Sequence, residues 1–158
     1  MKLKYISGVP VVIIMAMIFF FSSKPAVISQ ESSLSITRAV VNVYEKITNV
    51  AIETADRMQL LSSLDHMVRK TAHFLEYAAL AASLVLNFTI WKVDLRRNLG
   101  LSVLITTAYA ITDEFHQTFI PGRSGQVSDV LLDSCGGITG ALLFILLITI
   151  FMKKKRSL

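Results

Sequence analysis

Between Asp113 and Asp133 the chain reads DEFHQTFIPGRSGQVSDVLLD, which sets four carboxylates, an imidazole and a guanidinium between apolar runs. Imidazole and carboxyl groups are the side chains that transfer protons in general acid–base catalysis. A guanidinium such as Arg123 can grip a phosphate or carboxylate through two parallel hydrogen bonds. Further upstream, RKTAHFLEY carries Arg69, Lys70, His73, Glu76 and Tyr77. The candidate catalytic groups are therefore His73, Glu76, Asp113 and His116, with His116 as the favoured base, oriented by Asp113 or Glu76. The candidate binding groups are Arg69, Lys70, Tyr77, Glu114, Gln117, Arg123, Asp129 and Asp133. Spaced as H-x-x-E and D-E-x-H, the same side chains could instead hold a divalent metal, although nothing in the spacing selects zinc. Arg69 or Arg123 could also simply neutralise Asp129 or Glu114 and fix helix register.

Such groups need scaffolding that suits their surroundings, and the surroundings are apolar. Hydrophobic residues make up 53% of the 158 residues and charged residues only 17%, with a mean hydropathy of +0.59. That balance is a membrane protein's. The net charge of +5 does not point to nucleic acid, because the basic residues cluster beside apolar runs and form no continuous face. The single cysteine, Cys135, rules out an intrachain disulfide and any multi-cysteine metal site. Within its apolar run it reads as a small packing residue.

The expected fold is an all-α membrane protein, a single domain over residues 1–158, with spans at about 5–22, 70–91, 98–118 and 130–152. Pro10 could kink the first span. SSKPAVISQ after it offers no clean cleavage site for a secretory signal, which favours a retained helix. Residues 22–33 read as a polar connection. From Ser35, Ile36, Val40, Val43, Ile47 and Val50 recur at alternating spacings of four and three, which predicts an extracytoplasmic amphipathic helix over 35–60. It could pack over the bundle, lie on the membrane or pair with a second copy, which leaves a homodimer open. Ser62 or Ser63 should start the next helix, with Asp65 completing a capping box. Lys24, Arg38, Lys46 and Arg57 read as solvated charges. Pro121–Gly122 ends the third span, and Gly136 with Gly140 forms a small-x-x-x-small pair.

Three basic clusters, Lys2/Lys4, Lys92/Arg96/Arg97 and Lys153–Arg156, fall on one side if both termini are cytoplasmic. Helix rise then fixes depth. Glu76 lies sixteen residues before Lys92 and Asp113 sixteen after Arg97, so each sits roughly 24 Å from a cytoplasmic anchor. In a hydrocarbon core about 30 Å thick, both come just beneath its outer boundary. His73, His116 and Asp133 reach that boundary. Groups so costly to expose to lipid should face one another across a pocket opening outward.

RKTAHFLEYAAL, the later DEFHQTFIPGRSGQVSDVLLDSCGGITG and the FSSK after the first span together resemble the VanZ-like family of small bacterial membrane proteins. The likeness runs from about Phe20 to Gly140, poorest across the amphipathic segment. It implies a multi-pass protein of the bacterial plasma membrane. The family's founding member is linked to low-level resistance to teicoplanin, a lipid-tailed glycopeptide. The resemblance carries Arg69, Lys70, His73, Glu76 and Tyr77 onto one motif. It carries Asp113, Glu114, His116, Gln117, Arg123, Asp129 and Asp133 onto the other. The expected partners are membrane lipids and a cell-wall precursor or glycopeptide. Three functions fit such a pocket: binding an amphiphile, an outer-leaflet enzyme, or transport and proton relay.

Overall fold

Helical periodicity dominates the sequence, and the helices follow it with shifted boundaries. A computed structural model describes residues 2–49 and 52–156; these form six helices and no strand. In order they are α1 (Lys2–Ile6), α2 (Val9–Ser22), α3 (Ala26–Thr48), α4 (Thr54–Ile90), α5 (Leu95–Gln117) and α6 (Val127–Arg156). Among the described residues three stretches are long and apolar enough to cross a membrane: Lys4–Ser22, Asp56–Ile90 and Val127–Phe151.

The first span is interrupted at Ser7–Gly8, and Pro10 falls in the first turn of α2, where its missing N–H is harmless. Ser7 bonds Asn87 at 2.6 Å and the Trp91 indole bonds the Lys4 carbonyl at 3.1 Å, which ties the N-terminus to the end of α4. Asp94 caps α5 by accepting from Arg96 N at 3.1 Å.

The segment between the first two spans departs most from expectation. The polar connection assigned to 22–33 is largely helix, because Pro25 opens α3 at Ala26. The amphipathic helix expected over 35–60 stops at Thr48. Asn49 then adopts a left-handed conformation (φ 53°), which closes the helix. Val50 lies outside the described residues. Residues 54–60 already belong to α4, which runs unbroken through Ser62 and Ser63. Asp65 is therefore no cap: it is buried in mid-helix, accepting a hydrogen bond from Ser33 of α3.

Helix α3 packs antiparallel along the N-terminal half of α4, and its inward line is Ser33, Thr37 and Val41. The predicted apolar stripe of Ile36, Val40, Val43 and Ile47 is exposed instead. Arg57 is also not simply solvated. It bonds Asn42 at 2.6 Å and pairs with Glu45 at 3.2 Å, which holds the two helices together near their turn.

The largest packing surface joins α4 to α6, which run parallel. Gly136 lies directly against the Phe74 carbonyl and Gly140 against the Ala78 carbonyl. Each glycine is four residues from the next, and so is each carbonyl, so one helix seats its backbone on the other. Two missing side chains make this approach feasible. Cys135, the residue just before Gly136, is exposed rather than packed.

Helix α5 fills the remaining side with an unusual distribution of polarity. Its buried residues are Asn98, Ser102, Thr106, Ala110, Asp113, Glu114 and Gln117, whereas Leu101, Leu104, Ile111 and Phe115 are exposed. Asn98 donates to the Val85 carbonyl and to Thr89, both at 3.1 Å, and accepts from Ser102 at 3.2 Å. These hydrogen bonds join that end of α5 to α4, alongside Leu99 and Val103 packed on the apolar cluster of Ala81, Val85 and Ala141.

Candidate functional site

At the opposite end of the bundle the polar groups of α4, α5, α6 and the α5–α6 turn converge. Arg123 is the clamp. Its Nε donates to the Lys24 carbonyl at 2.9 Å, Nη2 to the Phe21 carbonyl at 3.2 Å and Nη1 to Gln117 Oε1 at 3.2 Å. Carbonyls at a helix C-terminus lack intrahelical partners, and a guanidinium suits them. Burial draws the Arg123 guanidinium below its ordinary value, an effect that Asp113 and Glu114 oppose; it remains a cation. Gln117 in turn donates to Asp113 at 3.0 Å and Glu114 at 3.2 Å. Glu114 also accepts from Gln126 N at 2.9 Å, fixing the start of α6. Gly122 (φ 75°) makes the intervening turn in a conformation that glycine takes without penalty.

Two adjoining cavities open beside this clamp. The first, about 250 Å³, is lined by Ala26, Ser29, His66, Arg69, Lys70, His73, Gln117, Gly122, Arg123, Ser124, Gln126 and Asp129. Lys70 and Asp129 form an ion pair of 2.8 Å across its wall. The second, about 230 Å³, lies between α2, α3 and α4 and includes Phe21, Ile36, Val68, Ala72 and Glu76. Both cavities share Ser29, Arg69, His73 and Arg123. Arg69 pairs with Asp65 at 3.4 Å, one turn earlier on α4.

Beneath the first cavity sits a tier of buried polar groups with few partners. Tyr77 and Asp133 are fully buried, at 0% exposure each. Tyr77 and Asp113 are hydrogen-bonding neighbours, whereas neither Asp133 oxygen finds a hydrogen-bond partner among the described residues. Tyr77 lies near both aspartates because a side chain on α4 leans toward the helix N-terminus, outward from the bundle centre. A buried carboxylate without donors is expensive. Asp133→Leu is therefore expected to raise the stability of the purified protein by about 1–3 kcal/mol, read as a higher unfolding midpoint in detergent. A lower midpoint would reveal a partner for the carboxylate.

The structure thus gathers Arg69, Lys70, His73, Gln117, Arg123 and Asp129 around one cavity, and places Glu76 beside His73 in the other. Tyr77, Asp113 and Asp133 lie below, and Glu114 is engaged at the turn. His116 stands apart. Its ring packs on Phe19 of α2 with centroids 4.7 Å away, and it lines neither cavity. The ion pairs weighed from sequence, Arg69 or Arg123 with Asp129 or Glu114, do not form among the described residues: Lys70 takes Asp129 and Arg69 takes Asp65. His66, Ser29 and Asp65 were missed, although the i, i+4 spacing of Asp65 and Arg69 was a readable signal. Among the described residues no group of three or more His, Cys, Asp or Glu is placed to hold a metal ion.

No curated protein and no solved structure matches the chain. A family model does match, over residues 8–149, which takes in every site residue described above. With its all-helical architecture and membrane-length helices, the chain belongs to the VanZ/LLP1 family.

Proposed function

We propose that this VanZ/LLP1 protein binds an amphiphile in an outward-facing pocket of the bacterial plasma membrane. The amphiphile is a lipid, a cell-wall precursor or a lipid-tailed glycopeptide of the teicoplanin type. In this reading the chain crosses the bilayer four times, with α5 as the additional span and both termini cytoplasmic. The inside-out polarity of α5 supports that topology, because its apolar face is turned outward and its polar stripe inward. The α5 helix has 23 residues, about 34 Å of length. Supporting the orientation, Lys4 touches Trp91, and Lys153 lines one groove together with Val93 and Leu95. The three basic clusters therefore share one end.

The single observation that carries the binding reading is the pairing of the two cavities, one rich in cations and the other walled by Phe21, Ile36, Val68 and Ala72, with Arg69 and His73 common to both. A polar head and an apolar chain would each have a place. Purification in a mild detergent followed by mass spectrometry tests the reading. Wild-type protein is expected to retain a specific amphiphile, and Arg69→Ala to lose it while still inserting in the membrane. Identical bulk lipid in both preparations would end the proposal. An enzymatic reading keeps one supporting observation: His73 and Glu76 line the same cavity and could act as an acid–base pair on a bound head group.

A further inference from the structure

We infer that the ligand's head group is a phosphate anion, and that one of its alkyl chains leaves the first cavity through the second and passes between α2, α3 and α4. The inference rests on the amphiphile-binding reading and adds the sign of the head and the path of the tail.

Charge on the walls gives the sign. Arg69, Lys70 and Arg123 face the first cavity against the single carboxylate of Asp129, with His66 and His73 beside them. Only Lys70 is tightly paired, at 2.8 Å, while Arg69 reaches Asp65 at the looser 3.4 Å. Arg123 directs three donors to Lys24, Phe21 and Gln117, which leaves one hydrogen on each terminal nitrogen of its fork. Asp65 beside Arg69 and Asp113 and Glu114 near Arg123 offset part of this charge, yet the lining itself presents one carboxylate and three cationic side chains, donors suited to a phosphate oxygen. Serine hydroxyls at Ser29 and Ser124 supply further donors on the same wall.

Continuity gives the path. The second cavity shares Ser29, Arg69, His73 and Arg123 with the first, then runs past Phe21, Val68, Ala72 and Ile36. Phe21 and Ile36 are themselves exposed, so the groove opens sideways, where a chain lying in the outer leaflet can enter without crossing the polar end. An alkyl phosphate could come from a glycerophospholipid or from a polyprenyl phosphate; the anion and the chain are common to both.

Full-length protein in an uncharged detergent is titrated calorimetrically with decyl phosphate, inorganic phosphate and decylphosphocholine. Decyl phosphate is expected to bind at least about tenfold more tightly than either, the equivalent of one charge-assisted hydrogen bond. Ala72→Phe, which fills the groove from an exposed position, is expected to weaken decyl phosphate about tenfold and leave inorganic phosphate unchanged. Arg69→Gln weakens both, and Lys70→Gln gives a second head-group variant should Arg69→Gln fold poorly. Equal binding of decylphosphocholine overturns the anionic head while leaving amphiphile binding intact. An Ala72→Phe protein that binds decyl phosphate normally overturns the chain path. Binding of none of the three overturns the parent reading as well. Dihexanoyl phosphatidate and farnesyl phosphate then separate the sources, and either one exceeding inorganic phosphate supports the inference.

Discussion

Gly140→Leu should leave almost no folded protein in the membrane. A side chain at this position would meet the Ala78 carbonyl, a backbone atom that no rotamer change can move. The α4–α6 surface is the largest in the molecule, so the helices cannot part there without losing most of what holds them. The expected loss exceeds the roughly 3 kcal/mol that marks the upper end of ordinary overpacking. Gly136→Leu, set against the Phe74 carbonyl, should behave likewise. Ile138→Leu is the control, since Ile138 is exposed on the outward side of the same helix. The yield of monodisperse protein after mild extraction checks the set. Normal yield from Gly140→Leu would show that α4 and α6 do not pack backbone to backbone.

Arg123→Ala is expected to act twice. It removes donors from the Phe21 and Lys24 carbonyls and from Gln117. Hydrogen bonds to a charged group contribute about 1.5–3 kcal/mol each when buried. Arg123 is only half-buried, so the combined destabilisation should be roughly 2–4 kcal/mol. It also removes a cation from both cavities, so retention of an anionic amphiphile should fall further than the drop in unfolding midpoint alone explains. Arg123→Lys should recover less than half of either loss, since an ammonium cannot reach three acceptors in a planar fork. Full recovery by lysine would reduce the residue to a simple point charge.

Polar groups set within apolar runs made the candidate site readable in the sequence. Arg69, Lys70, His73, Gln117, Arg123 and Asp129 had no inexpensive place other than one another's company, and they line one cavity. Helix geometry turns His116 away from the cavity that the others share. At 100° per residue, Gln117 and His116 fall on opposite sides of Asp113. Gln117 therefore turns to the cavity and His116 to Phe19 on α2. The segment over 35–60 was harder to read. Its apolar period was genuine, but tertiary contacts chose Ser33 and Thr37 for the inward face, through the buried bond to Asp65. Local periodicity cannot foresee a polar contact made 32 residues away. The end of α3 was more accessible, since asparagine tolerates the left-handed conformation seen at Asn49.

In the proposed four-span reading, a helix whose inner line is Asn98, Ser102, Thr106, Asp113 and Gln117 partitions poorly into hydrocarbon by itself, because those side chains would face lipid without partners. In that reading α5 waits during biosynthesis for a companion helix. The ladder from Asn98 to Val85 and Thr89 offers α4 as the first, and the arrival of α6 closes the other flank. A nascent chain halted before Val127 would hold α5 half-admitted, a substrate for membrane quality control.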